Sequence, residues 1–168
     1  DALCTEGSRW SLAQAIEAKD SYTHGHVDRG RQYSVKLARA MGLPIEFVQD
    51  VRTAAILHDV GKISTPDRVL LKPGPLNDEE FEIMKDHTIK GAATLEAALR
   101  EYPAAHYLRM ARDIAASHHE WYDGTGYPAG LSGEDIPLCG RIVALADVYD
   151  ALTSRRIYKD AYSHEKAK

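Results

Sequence analysis

The chain is poor in cysteine, in long apolar runs and in charge of one sign, and each scarcity removes a class of protein. Of 168 residues only two are cysteines. Cys4 and Cys139 match no C-x-x-C pattern and are too few for a disulfide scaffold, so a reducing cytoplasm is the expected compartment. No stretch reaches the roughly 18 to 20 continuous apolar residues of a membrane span, and no basic segment followed by an apolar one opens the chain, so no membrane contact is expected. With 21 basic against 25 acidic residues and a formal net charge of -4, a surface that coats a nucleic-acid polymer is not expected, although a local basic pocket for one small anion is allowed. What remains, 44% hydrophobic and 27% charged, is ordinary for a globular domain with a substantial core. The chain starts at Asp1 and stops at "SHEKAK", where Ser163 looks like an N-cap with no helix to follow. The expectation is therefore one domain, 1-168, cut from a longer polypeptide at its C-terminal helix.

Strand signals are scarce as well, and the apolar periodicity is helical nearly throughout. In "SRWSLAQAIEAKD" Leu12, Ala15, Ile16 and Lys19 fall on helical spacing. From His26 to Met41 the residues Tyr33, Leu37, Ala38 and Met41 share a face that stops at Gly42, and Pro44 opens the next helix. That helix is expected to run into His58, because Val48, Val51, Ala55 and His58 form one stripe. Asn77 with Glu80 reads as a capping box for "DEEFEIMKDH"; another helix follows His87 to about Leu99, another fills Ala104 to His119, and Pro137 opens "PLCGRIVALADVYDALTS". Between the last two, "EWYDGTGYPAGLSGEDI" holds Gly124, Gly126, Pro128, Gly130 and Gly133, too many breakers for a helix and typical of an ordered functional loop. Its spacing is neither that of an EF-hand nor of a dinucleotide-binding glycine motif. One all-α domain is the expected fold.

Eight histidines are present, and any one alone reads as a surface or satisfied core residue. Their arrangement changes that reading. His26, His58-Asp59, His87, His118-His119 and Asp147 recur at intervals of about thirty residues, roughly one helix out and one back, so a bundle gathers them at one end. Packing five imidazoles and two carboxylates together without a cation would leave buried polar groups unpaired at a cost of about 1-3 kcal/mol each, whereas a metal centre uses every lone pair. Adjacent helical residues point about 100° apart, so the two doublets suit two ions about 3.5-4 Å apart, with Asp59 as the bridging carboxylate. Nitrogen and oxygen donors without thiolate favour iron, manganese, nickel or catalytic zinc over structural zinc. Two such ions acidify a bridging water and clamp a phosphoryl group, and Lys62 could neutralise a phosphate oxygen. His24, His106 and His164 lie outside the spaced set and are assigned nothing.

These residues resemble the HD-GYP family of bacterial cyclic di-GMP phosphodiesterases, a branch of the HD metallophosphohydrolases. The similarity runs from about Ile16 to Tyr162 through "KDSYTHGH", "AAILHDVGKISTPDRVLLKPGPL", "HHEWYDGTGYPAGLSGEDIPLCGRI" and "ADVYDALTSRRIYK", with Gly126-Tyr127-Pro128 as the signature. The resemblance implies an all-α HD-domain helical bundle with a Gly/Pro-rich GYP loop. It implies His26, His58, Asp59, His87, His118, His119 and Asp147 as metal ligands, and Lys62, Tyr127, Arg156 and Lys159 as substrate contacts. Asp20 and Lys62 become the candidates for moving a proton to the leaving oxygen. Cyclic di-GMP is the implied ligand, two divalent metal ions the implied cofactor, iron or manganese ahead of nickel or zinc. A regulatory domain elsewhere in the full-length chain and protein partners such as GGDEF-type cyclases are also implied. Tyr22 stands where members with a three-metal centre carry glutamate, so two metals are expected, with linear pGpG as the product and onward hydrolysis to GMP left open but less favoured. Ile157 replaces the proline of the usual Arg-Pro-Tyr-Lys run, so the cations remain on a less stiff backbone. The alternatives are a cyclic di-GMP sensor without hydrolysis and an HD phosphohydrolase for another cyclic dinucleotide.

Overall fold

A computed structural model describes residues 2-20, 25-154 and 161-167. The elements are α1 (Ala2–Lys19), α2 (His26–Ala40), α3 (Ile45–Ala54), α4 (Asp67–Leu70), α5 (Asp78–Glu101), α6 (His106–Ser117), α7 (Leu138–Thr153) and α8 (His164–Ala167). Three 3-10 turns lie between them, at Ala55–Leu57, Val60–Ser64 and Gly133–Asp135. Among the described residues there is no strand, and no helix is long and apolar enough to cross a membrane. The all-α expectation holds.

Local chemistry sets the helix ends. After α2, Gly42 takes φ 69 while the Gly42 N–H reaches the Arg39 carbonyl at 3.0 Å and the Leu43 N–H reaches Ala38 at 3.2 Å, a glycine-terminated helix end that ties up late carbonyls. At the start of α5 the Asn77 side chain accepts from the Glu80 N–H at 2.8 Å, and Glu80 accepts from the Asn77 N–H at 2.9 Å, the reciprocal capping the sequence predicts. Two boundaries differ from the sequence expectation. The segment from Asp78 to Glu101 is one helix of 24 residues, not two meeting near His87. Lys85 and Asp86 lie on the more exposed face of this amphipathic helix and His87 on its buried face, so the helix continues through them. Helix α3 stops at Ala54 and tightens into a 3-10 turn instead of reaching His58. Ala55, Ile56 and Leu57 are all buried, so this stretch has no solvent face of the kind an amphipathic surface helix keeps.

Helix α5 packs along α6, α2 along α7, and α3 against both α2 and α6, while the Val60–Ser64 turn lies on α5. The last contact is close: a Cβ on Gly61 would sit 1.9 Å from the His87 carbonyl oxygen, so only glycine permits it. The main core joins Ala54, Leu57, Val60, Leu95, Leu108, Ala111, Ile114 and Val143. Burying a side chain of the size of Ile114 contributes about 1.5-3 kcal/mol.

The buried stripes explain where the histidines point. On α2 the stripe runs His26, Gly30, Ser34, Ala38; on α5 it runs His87, Gly91, Leu95; on α6 Leu108, Ala111, Ile114 and Ala115 lead to His118. Each imidazole occupies the terminal position of a stripe that must face inward, so burying the apolar part of the helix carries the imidazole to the same end of the bundle.

Candidate metal centre

Two groups of donor atoms form at that end. Asp59, His87, His118 and His119 make one, and His26, His58 and Asp59 the other, with the candidate ligand atoms of each group lying within 4.8 Å of one another. Asp59 belongs to both. Its Oδ1 lies 3.4 Å from His87 Nε2 and 3.7 Å from His118 Nε2, while its Oδ2 lies 3.4 Å from His58 Nε2. Asp147 Oδ1 stands 3.1 Å from His26 Nε2, at the edge of the second group. All seven sequence-predicted ligand residues therefore come together.

The tautomers follow from the hydrogen bonds. His58 Nδ1 is 2.7 Å from the Ala55 carbonyl, His87 Nδ1 is 2.6 Å from Met84 and His118 Nδ1 is 3.1 Å from Ile114. A carbonyl only accepts, so each Nδ1 carries a proton and Nε2 is the atom presented to the centre, where its lone pair is available to a cation. His26 is fixed differently: Nδ1–H donates to the Asp150 carboxylate at 2.8 Å, and Asp150 is itself held by Arg29 Nε at 2.6 Å, Arg29 Nη2 at 3.1 Å and the Ser154 hydroxyl at 3.1 Å. This is the outer partner that orients a metal-binding imidazole.

The electrostatics divide the site in two. Burial pushes His87 down to about 4 and, with the neighbouring His118 and His87 imidazoles, pushes His119 down to about 2. Both are neutral donors at physiological pH. Burial would lower His26 as well, but hydrogen bonds to Asp147 and Asp150 outweigh it and raise it to about 9. Asp59 is held well below the usual carboxylate range, where Lys62 and His58 overcome burial, and Asp147 is lowered by its hydrogen bond to His26 and by His58. The carboxylate-rich half thus calls for positive charge.

A cation fits. Among the described residues, the buried side-chain atoms without a hydrogen-bond partner are His58 Nε2, Asp59 Oδ1 and Arg141 Nε, so two of the three are lone pairs aimed into this site. Leaving such atoms unpaired is costly, and coordination satisfies them.

Lys62 and Asp20 also meet here. Lys62 Nζ lies 2.8 Å from Asp59 Oδ2 and 3.1 Å from Asp20 Oδ2. Burial would lower the Lys62 ammonium, but the two carboxylates outweigh it and raise it above its ordinary range. Lys19, at the end of α1, binds the carbonyls of Ile63 and Thr65 at 2.9 Å each and so grips the turn that carries Lys62.

The loop from Glu120 to Ile136 closes over the first group. Gly126 is obligatory because a Cβ there would lie 2.3 Å from the Trp121 nitrogen and 2.5 Å from the His119 oxygen. The Tyr127 N–H then bonds to the His119 carbonyl at 3.1 Å, and the Tyr127 ring stacks on the His119 ring with centroids 4.8 Å apart at 25°. Burial pushes the Tyr127 phenol up to about 12, so it is a neutral hydrogen-bond donor. Trp121 is exposed. Tyr22, Arg156 and Lys159 lie outside the described residues.

Two acids of this site are absent from the sequence reading. Asp150 sits three residues after Asp147 on the buried stripe Val143, Ala146, Asp150, and a carboxylate on an apolar stripe was the available signal. Glu120, 3% exposed, accepts from the Ala129 N–H at 2.7 Å and the Leu131 N–H at 3.0 Å, pinning the loop that carries Tyr127. Nothing in its sequence context distinguishes it from a loop acid.

Comparison with known proteins agrees with this geometry. Residues 11–167 match the family described as HD domain. A cyclic di-GMP phosphodiesterase of Vibrio cholerae serotype O1 is 48% identical over 166 residues, covering 94% of this chain and 34% of that protein. A cyclic di-GMP phosphodiesterase of Thermotoga maritima is 46% identical over 156 residues, covering 93% and 41%. A 3'3'-cGAMP-specific phosphodiesterase 2 of Vibrio cholerae serotype O1 is 43% identical over 157 residues, covering 94% and 29%. The chain belongs to the HD-domain family and, within it, to the HD-GYP branch. It spans 29% to 41% of the length of these relatives.

Proposed function

We propose that this chain is the hydrolytic domain of a metal-dependent phosphodiesterase that opens cyclic di-GMP to linear pGpG. The observation that carries the proposal is Asp59, one carboxylate shared by two groups of imidazole and carboxylate donors beside a fixed ammonium. His87, His118, His119 and Asp59 would hold one divalent ion; His26, His58, Asp59 and Asp147 would hold the other, the nitrogen and oxygen donors suiting iron, manganese, nickel or catalytic zinc and the family resemblance putting iron or manganese first. Bound there, divalent ions supply an acidified water as nucleophile and positive charge for the phosphoryl oxygens.

The chain's own groups do the remainder. Asp150 keeps the His26 lone pair inward, and the backbone carbonyls of Ala55, Met84 and Ile114 do the same for His58, His87 and His118. Two carboxylates hold Lys62 as an ammonium, which suits a fixed charge beside a phosphoryl oxygen better than a proton donor. Asp20 aims that ammonium and stays the candidate for proton delivery to the leaving 3' oxygen. Tyr127 covers the site with a neutral hydroxyl, and Arg156 with Lys159 are proposed to meet the second phosphate. Cyclic di-GMP as substrate follows from the names of the relatives at 48% and 46% identity. A regulatory domain and partners such as GGDEF-type cyclases belong to the same proposal for the full-length protein.

A second reading has an observation of its own: a relative at 43% identity carries the name of a 3'3'-cGAMP-specific phosphodiesterase. The test is incubation of iron- or manganese-loaded protein with cyclic di-GMP, cyclic GMP-AMP and cyclic di-AMP, singly and in competition, with products resolved chromatographically. Formation of pGpG in preference to the other products supports the first reading. Absence of turnover with every divalent metal refutes both, and tight binding without product would leave a sensor.

A further inference from the structure

The aromatic stack that begins at the metal centre does not end at Tyr127. The Phe81 ring, on the first turn of α5, meets the Tyr127 ring edge to face with centroids 5.9 Å apart at 82°. Lys85, one helical turn further on, carries its ammonium 5.4 Å from the Phe81 centroid and 5.9 Å from the Tyr127 centroid. His119, Tyr127, Phe81 and Lys85 thus form a continuous ledge leading away from the donor groups. Core packing does not account for it, because Phe81 keeps 44% of its surface in solvent. A half-open aromatic ring beside a cation, next to a centre suited to phosphoryl groups, has the composition of a nucleobase subsite.

We propose that Phe81 and Lys85 form the base-binding subsite that selects guanine over adenine; this rests on the reading of the chain as a cyclic dinucleotide phosphodiesterase. Phe81 supplies a stacking surface for a purine joined through its ribose to the phosphate held at the centre. Lys85 supplies the discrimination. The N7/O6 edge of guanine presents two acceptors, whereas the same edge of adenine presents the N7 acceptor beside an amino donor. An ammonium has three donors and no acceptor. One donor of Lys85 is engaged by Glu82 Oε1 at 2.6 Å, which leaves two for the guanine edge and sets a donor against the adenine amino group.

Binding of GMP and AMP to the intact chain by calorimetry, together with KM for cyclic di-GMP and cyclic di-AMP, tests the subsite in Lys85→Met, Phe81→Leu and Phe81→Trp. Lys85→Met should shrink the GMP-over-AMP preference about tenfold. Phe81→Leu should weaken both nucleotides by about five- to tenfold, and Phe81→Trp should keep or improve binding, a split that apolar packing alone would not give. A wild type that hydrolyses cyclic di-GMP while these variants keep its KM and base preference overturns the subsite alone. A wild type that turns over no cyclic dinucleotide, yet loses its GMP preference in Lys85→Met, overturns the phosphodiesterase reading and upholds the subsite. No binding of GMP by the wild type overturns the subsite directly.

Discussion

Asp150→Asn separates the two halves of the proposed centre. The Asp150 side chain is 1% exposed and accepts from His26, Arg29 and Ser154. Asparagine keeps its shape and one accepting oxygen, but its amide nitrogen turns donors toward donors and the negative charge behind His26 is lost. Removing one partner of a buried pair costs about 3-5 kcal/mol when the other is left stranded. Arg29 keeps 38% of its side chain in solvent and can turn to water, so the loss of stability should fall well short of that. Metal affinity should respond more clearly: an outer partner of an imidazole ligand is worth about 10- to 100-fold, or about 1.4-2.7 kcal/mol. His26 belongs only to the group it forms with His58 and Asp59. In an equilibrium metal titration of purified protein, the wild type should therefore fill both sites over a similar range, while Asp150→Asn should show one site unchanged and one weakened by that factor. Thermal melts with and without metal would confirm that the variant is folded. Loss of both sites together, or unchanged affinity at both, would refute the assignment of Asp150 to His26 alone.

Asp59→Asn should remove the shared carboxylate from both groups, so metal analysis should find near-complete loss of metal and assays near-complete loss of hydrolysis. Lys62→Ala should instead keep its metal, since it frees an Asp59 oxygen from an ammonium 2.8 Å away, while turnover falls about 100- to 1000-fold. A Lys62→Ala protein that lost metal as completely as Asp59→Asn would show that the roles are exchanged. Glu120→Gln should leave metal content intact and raise KM, because one of the Ala129 and Leu131 N–H groups would face an amide donor and the Tyr127 loop would loosen. Unchanged steady-state constants would count against Glu120 as the anchor of that loop.

What was legible in the sequence depended on whether a single element carried the signal. The spacing of His26, His87 and His118 along the chain was enough to predict that they gather at one end, although the face read on α2 through Tyr33, Leu37 and Met41 is not its buried one, which runs His26, Gly30, Ser34, Ala38. The capping of α5 by Asn77 and Glu80 and the stop at Gly42 are local and were readable for that reason. Asp150, Phe81 and Lys85 depend on which helix or loop approaches them: His26 comes from α2 to Asp150 on α7, and Tyr127 comes from a loop to Phe81 and Lys85 on α5. A one-dimensional pattern contains no record of such approaches. The doublet at His58 and Asp59 shows the opposite case, an expected convergence reached on a different backbone from the one the periodicity suggested. On a regular α-helix the two residues would diverge by about 100°, which is why the sequence alone called for two ions about 3.5-4 Å apart to reconcile them. The helix ends at Ala54 instead, and Asp59 adopts φ -97 and ψ 11, the sparsely populated bridge region found at many active sites. That kink brings the Asp59 carboxylate within 3.4 Å of His58 and of His87 alike. The position is kept by Gly61, whose missing side chain lets the next turn rest on the His87 carbonyl. In "HDVGK" the glycine is thus as much a part of the site as the two residues that point into it.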